Sequence, residues 1–138
     1  MKLNDSEKTQ LRNLFESNGL SKDDIFVAKH FTIVKRSGIQ KIQATQNIHI
    51  EFEVIQCDRD FVVIKAHGWR RNDPEKRIET YGSATKENCM SKHLVEMSEK
   101  RAMSRCVLSL TNLYQHGVFG EDEDVHRGWP GFSECPIV

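Results

Sequence analysis

The sequence predicts an α+β fold: an antiparallel sheet of three to four strands packed on a long C-terminal helix, with a short N-terminal helix before it. Three observations carry this expectation. Ile48–Val54 reads IHIEFEV, with Ile48, Ile50, Phe52 and Val54 on one side and His49, Glu51 and Glu53 on the other, the mark of a strand with one buried and one wet face. Cys106 to Tyr114 is apolar nearly all round if helical, so that end of the last helix has to be enclosed. The 138 residues, 38% of them apolar, suit one domain with one modest core.

The first element is a helix over about Ser6–Asn18, with Leu11, Leu14 and Phe15 as its apolar stripe. Asn4 or Asp5 can cap it, and Gly19 can end it in the left-handed conformation. A linking segment, SKDDIFVAK, follows. Phe31–Lys35 reads as a strand, and KRSGIQK as a turn bent at Gly38. Cys57–Asp60 has turn chemistry between Ile48–Val54 and a strand at Phe61–Ala66, so the pair reads as a hairpin. Trp69–Lys76, with Pro74, reads as a polar loop, and Arg77–Thr85 as a fourth strand. The final helix is expected over about Ser91–Gln115, near 37 Å long at about 1.5 Å per residue. The domain should span 1–117, leaving 118–138 as an acidic, flexible tail.

Lys and Arg total 20, as do Asp and Glu, so the formal net charge is zero. The distribution is uneven. Residues 61–110 hold ten Lys/Arg and six Asp/Glu, a net of +4, whereas residues 111–138 hold one Arg and five acids, a net of −4. A basic middle and an acidic end are hidden in a neutral total. No apolar run approaches the roughly 20 residues of a membrane span. The start, MKLNDSEKTQ, lacks a signal peptide's apolar stretch, so a cytoplasmic location is expected, with the four cysteines reduced. There is no C-x-x-C pair; Cys89 and His93 alone are too few for a metal site, and no metal or cofactor is expected.

The basic residues supply the candidate site. Lys100, Arg101 and Arg105 share the last helix, and the two arginines sit one turn apart. Like charges at that spacing repel unless an anion lies between them; a phosphate would turn the repulsion into attraction. Lys35, Arg36 and Lys41 flank one turn, and Arg70, Arg71, Lys76 and Arg77 flank another. Trp69 beside Arg70 and Tyr81 after Arg77 are rings on which bases can stack. Enzyme signals are poor. There is no G-x-S-x-G, Walker or GxGxxG motif, the six histidines are scattered, and His49 with Glu51 reads as a surface pair. No catalytic residue is expected.

Residues 79–124 resemble the core of phage single-strand annealing proteins, the Sak and Erf-like groups of the Rad-fifty-two-type superfamily. The features that carry the resemblance are Tyr81-Gly82-Ser83-Ala84 closing a strand, and the helix Glu96-Met97-Ser98-Glu99-Lys100-Arg101-Ala102-Met103-Ser104-Arg105-Cys106-Val107-Leu108. The resemblance implies a β-β-β-α core that binds single-stranded DNA and anneals complementary strands in phage recombination or repair without ATP, RNA being left open as a ligand. It implies a homo-oligomeric ring or helical filament in the bacterial host cytoplasm. Its phosphate contacts fall on Lys100 and Arg101, with Lys35, Arg36, Lys41 and Lys65 lining the same groove. The chain lacks the long C-terminal region of the larger members, and Ser98 stands where Ala is common. The competing reading is a protein-interaction module on the same fold, an inhibitor or adaptor of a host DNA-metabolism or defence factor. The tail, EDED followed by Phe132, Pro136, Ile137 and Val138, could itself dock on a host single-stranded-DNA-binding or replication protein.

Overall fold

The computed structural model describes residues 5–27, 31–87 and 93–121. Helix α1, Asp5–Ser17, buries Leu11 and Phe15, one turn apart. It ends at Gly19, whose φ of +74° suits a residue without a side chain. A single 3-10 turn at Lys22–Asp24 leads into β1, Ile25–Val27, so the expected linker is partly structured. β1 pairs antiparallel with β2, Thr32–Val34.

Arg36–Thr45 form helix α2, not the expected hairpin turn. The Lys-Arg-Ser-Gly run has turn composition, but Ile39 and Ile42 both have 0% exposure, and burying them together requires helical spacing. Gly38 is there for closeness rather than for a bend: a Cβ would strike Val34 Cγ1 and lie 3.1 Å from the Asp24 carbonyl oxygen.

β3 (Ile48–Cys57), β4 (Phe61–Arg70) and β5 (Asp73–Thr85) form an antiparallel meander with β4 in the middle. The expected loop at 69–76 shrinks to a tight turn, because Arg70 already faces Asp73 across the ladder. Pro74 is tolerated because β5 is an edge strand. Helix α3, Leu94–Leu110, is 17 residues, about 25 Å long. It stops short of the expected Gln115 because Asn112 takes a left-handed conformation, φ 59°, and a 3-10 turn follows at Leu113–His116. Val118–Gly120, expected to begin the tail, form β6 and pair parallel with β2. Among the described residues there are thus two sheets rather than one, β1-β2-β6 and β3-β4-β5.

α3 lies between them. Ser98, Ala102 and Cys106 recur every fourth residue and face the meander, against Gly82 and Gly68. Ser104 and Leu108, on the opposite side of the helix, face Gly120. Of the run Cys106–Tyr114 expected to be enclosed, Cys106, Val107, Leu108, Leu110 and Leu113 are buried, whereas Ser109, Thr111 and Tyr114 are half-buried and Asn112 is exposed. A Cβ on Gly82 would fall far inside contact distance of the Ser98 carbonyl oxygen and the Ala102 nitrogen; one on Gly68 would overlap Cys106 Sγ. Burial in this layer pushes the Cys106 thiol up to about 11.

β4, the strand expected at Phe61–Ala66, alternates in burial, with Val62, Ile64, Ala66 and Gly68 buried under α3. Phe52 and Val54 point to the same side but stay 41% and 60% exposed. The helix crosses β4 and β5 and leaves most of β3 uncovered. The alternation of β3 is therefore as read, but its apolar side is not core beyond Ile48 and Ile50. Cys57 is exposed; Cys89, Asp122–Asp124 and the residues after them, read above as a candidate metal ligand and an acidic tail, lie outside the described residues.

Two substitutions test the helix approach. Gly68→Ala should cost about 2 kcal/mol, and Cys106→Ala in the same chain should restore part of it by removing the overlapping sulfur. Gly82→Ala should cost about 3 kcal/mol with no rescue by side-chain truncation, because backbone stands in the way. Urea unfolding measures both, and a wild-type midpoint for Gly82→Ala would refute the packing.

Candidate nucleic-acid interface

The expected basic residues fall in three places. The first is the flank of α3 beside β5. Arg101 is 3% exposed, and its Nη1 donates to the Ser83 carbonyl at 2.5 Å. Arg105 donates from Nη1 to the Tyr81 carbonyl at 2.8 Å. Thr80 completes the seam by donating to the Ala102 carbonyl at 2.8 Å. Residues 81 and 83 present their carbonyls to the same side of β5, so the two arginines run along one edge. Both act as clamps between helix and strand. Lys100 is different: it is half-buried in a shallow depression with His93, Glu96 and Met97.

The second place is α2. Lys35 is its exposed N-cap, and the Arg36 backbone N–H donates to the Glu121 carboxylate at 2.7 Å. Lys41 is bound at 2.6 Å to the buried Asp24. Asp24 also accepts from the Ser21 N–H at 2.9 Å and the Ser37 hydroxyl at 2.6 Å. The Lys41 ammonium, followed by these two donors, holds the Asp24 carboxyl well below the usual carboxylate range against the opposing effect of burial. Lys41 is an anchor for the Asp24 turn.

The third place is the face of the meander turned away from α3. Its centre holds three carboxylates, Glu51, Glu53 and Glu79, and one ammonium, Lys65. Lys65 pairs with Glu79 at 3.0 Å and is 18% exposed at its side chain, and Glu79 holds its ammonium above the ordinary lysine value. His67 lies between Glu53 at 3.1 Å and Glu79 at 3.3 Å. His49 and Glu51 approach to 3.7 Å, the expected surface pair. Tyr81 is 49% exposed, with the Lys65 ammonium 5.6 Å from its ring centre.

Towards the β4–β5 turn the same face becomes basic. Arg77 stacks over Trp69, its guanidinium carbon 4.2 Å from the ring centre, and His49 lies 4.8 Å from that ring. Arg77 also donates to the Pro74 carbonyl at 2.8 Å. Arg71 meets His49 Nδ1 at 3.4 Å, whereas Arg70, facing Ile48 in the register, turns to the helix side and reaches Gln46 at 3.3 Å. Lys76, the residue before Arg77, is exposed. Among the described residues, none of Arg70, Arg71, Lys76 and Arg77 is paired with a carboxylate. Asp73 and Glu75 share the turn, leaving it a local excess of positive charge.

One groove holding all the expected residues does not form. Lys65 and Tyr81 lie on the open side of the meander, Lys35, Arg36 and Lys41 lie on α2, and the sheet and α3 separate them. Among the described residues no group of three His, Cys, Asp or Glu side chains could hold a metal ion, and no helix is long and apolar enough to cross a membrane. No protein-family model, curated protein or solved structure matches the chain.

The clamp and the depression separate by mutation. Arg101→Ala should destabilise the fold by about 2–3 kcal/mol, as it strips a buried carbonyl of its donor, whereas Lys100→Ala should stay within about 0.5 kcal/mol. Equal effects in urea unfolding would contradict the distinction.

Asp24 gives a pH signature. Its carboxyl is depressed in the folded state, so its stabilisation is fully present above the unfolded value of about 3.9 and is lost as pH falls through the folded value. Asp24→Asn should cost about 2 kcal/mol near neutrality, and the gap to wild type should narrow below about pH 4. A gap that stays constant down to about pH 2 in acid-unfolding curves would rule out the depressed carboxyl.

Proposed function

We propose that the protein binds single-stranded nucleic acid, DNA in the first instance, at the basic end of its meander sheet. The observation that supports this reading best is the β4–β5 turn, where Arg77 stacks on Trp69, Arg71 meets His49 beside the same ring, and neither these nor Arg70 and Lys76 have a carboxylate partner among the described residues. Guanidinium forks and an ammonium suit phosphate oxygens. The outer plane of the Arg77–Trp69 stack offers a base a surface for stacking that does not depend on its identity. Lys100 lies on the helix side of the sheet, towards the end of α3 that meets Val62, and so apart from this turn.

Glu51, Glu53 and Glu79 disfavour a path across the middle of the sheet, so the strand follows the turn end instead. The β3-β4-β5-α3 succession is the order expected of the annealing superfamily, and it supports the finer proposal that bound strands are held for pairing with a complement in a homo-oligomeric ring or filament. Pairing of this kind breaks and makes no covalent bond, so no catalytic group is required.

Affinity for oligothymidylate should fall steeply with salt, with a log–log slope of about −0.7 per phosphate neutralised. Arg71→Ala/Lys76→Ala should weaken binding to all sequences alike and make the slope shallower by about 1.4. Fluorescence anisotropy across a salt series measures both. An unchanged affinity and slope in the double variant would move the site elsewhere, and no binding by wild type at low salt would end the proposal.

A further inference from the structure

The two edges of the meander are treated differently. On β5 the Tyr81 and Ser83 carbonyls are taken by Arg105 and Arg101. This closes the edge to a further strand. On β3, α2 reaches only the start, where Gln43 donates to the Ile48 carbonyl at 3.4 Å. Residues 51–57 are all exposed, and among the described residues no hydrogen bond from outside the sheet reaches their backbone. No Lys, Pro or Gly interrupts Ile48–Cys57, and a bulge breaks the register only at Val54/Gln56. Long exposed edges without Lys or Pro recruit strands.

The two sides of that edge specify the recruit. On the helix side lie Phe52 and Val54, 41% and 60% exposed. On the other side lie Glu51 and Glu53, with side chains 64% and 58% exposed. A strand added here would set alternate side chains against apolar surface and against carboxylates. We propose that residues 51–57 of β3 are a strand-addition site for an extended peptide whose alternate residues are apolar and basic. A second copy pairing β3 on β3 antiparallel would bring the carboxylates of both strands together, which disfavours it.

The test uses the full chain and a fluorescein-labelled peptide of about eight alternating valines and lysines, a typical strand length. Anisotropy should show binding that weakens at least about tenfold when glutamate replaces lysine in the peptide, a difference of about 1.4 kcal/mol. Glu51→Lys/Glu53→Lys should reverse that preference. N-methylation of the peptide's alternate amides should abolish binding in one parity and spare it in the other, because only one set faces β3. Val54→Lys, at an exposed position that leaves the circular dichroism unchanged, should weaken binding. No binding, equal binding of the two peptides, or indifference to the parity of methylation would overturn the proposal. So would a dimer in sedimentation that Val54→Lys dissolves and the peptide does not, since the occupant would then be a second copy.

Discussion

The contact on which the rest of the molecule depends is the near-touching of α3 and β5 at Gly82. A helix seldom approaches a strand so closely, since a side chain normally keeps the two backbones apart. Here Gly82 and Gly68 on the sheet meet Ser98, Ala102 and Cys106 on the helix, all small. The close approach lets Thr80, Arg101 and Arg105 span the seam with hydrogen bonds. It also draws the helix towards β4 and β5, so that among the described residues nothing is laid over Phe52 and Val54 of β3. The exposed edge is thus a geometric result of how tightly the opposite edge is held.

Electrostatics follows the same division of labour. The formal net charge is zero, yet the charges are sorted by place. The centre of the open sheet face is laced across strands, Lys65 paired with Glu79 and His67 lying between Glu53 and Glu79. Asp24 is a deeply buried anion held by one ammonium and several donors, and it ties the 3-10 turn to α2. At the turn between β4 and β5 the cations have no carboxylate partner among the described residues, and Arg77 stacks on an indole.

Local patterns were the readable part of the fold. The period-two alternation of Ile48–Val54 marks β3, and the all-round apolar run after Cys106 announces a helix with something on every side. The helix α2 was unreadable because its first turn, Arg-Ser-Gly, has the composition of a bend, and only the long-range burial of Ile39 and Ile42 decides otherwise. The 69–76 stretch looked like a loop because of Pro74, which an edge strand accepts. Among the basic residues, charge alone suggested solvent or phosphate for Arg101. The cue that it is a clamp was available only in combination, as a large residue beside small ones at four-residue spacing opposite a glycine-bearing strand. The unpartnered side of β3 left no such cue, because alternation shows which way a side chain points and says nothing of what arrives to cover it.

The parallel pairing of β2 with β6 bears on how the chain reaches this state. Thr32–Val34, buried throughout, aligns with Val118–Gly120, and everything from α2 to the 3-10 turn after α3 lies between them. Closing that contact means closing a very long loop, the kind of step that slows folding. During synthesis β2 emerges early and finds β1 on one side, while its other side stays open until the residues of β6 have left the ribosome. The meander and α3 can form in that interval, since their contacts are local in sequence. The small sheet would then be the last part to lock, and β2 the segment most exposed to a wrong partner in a nascent chain.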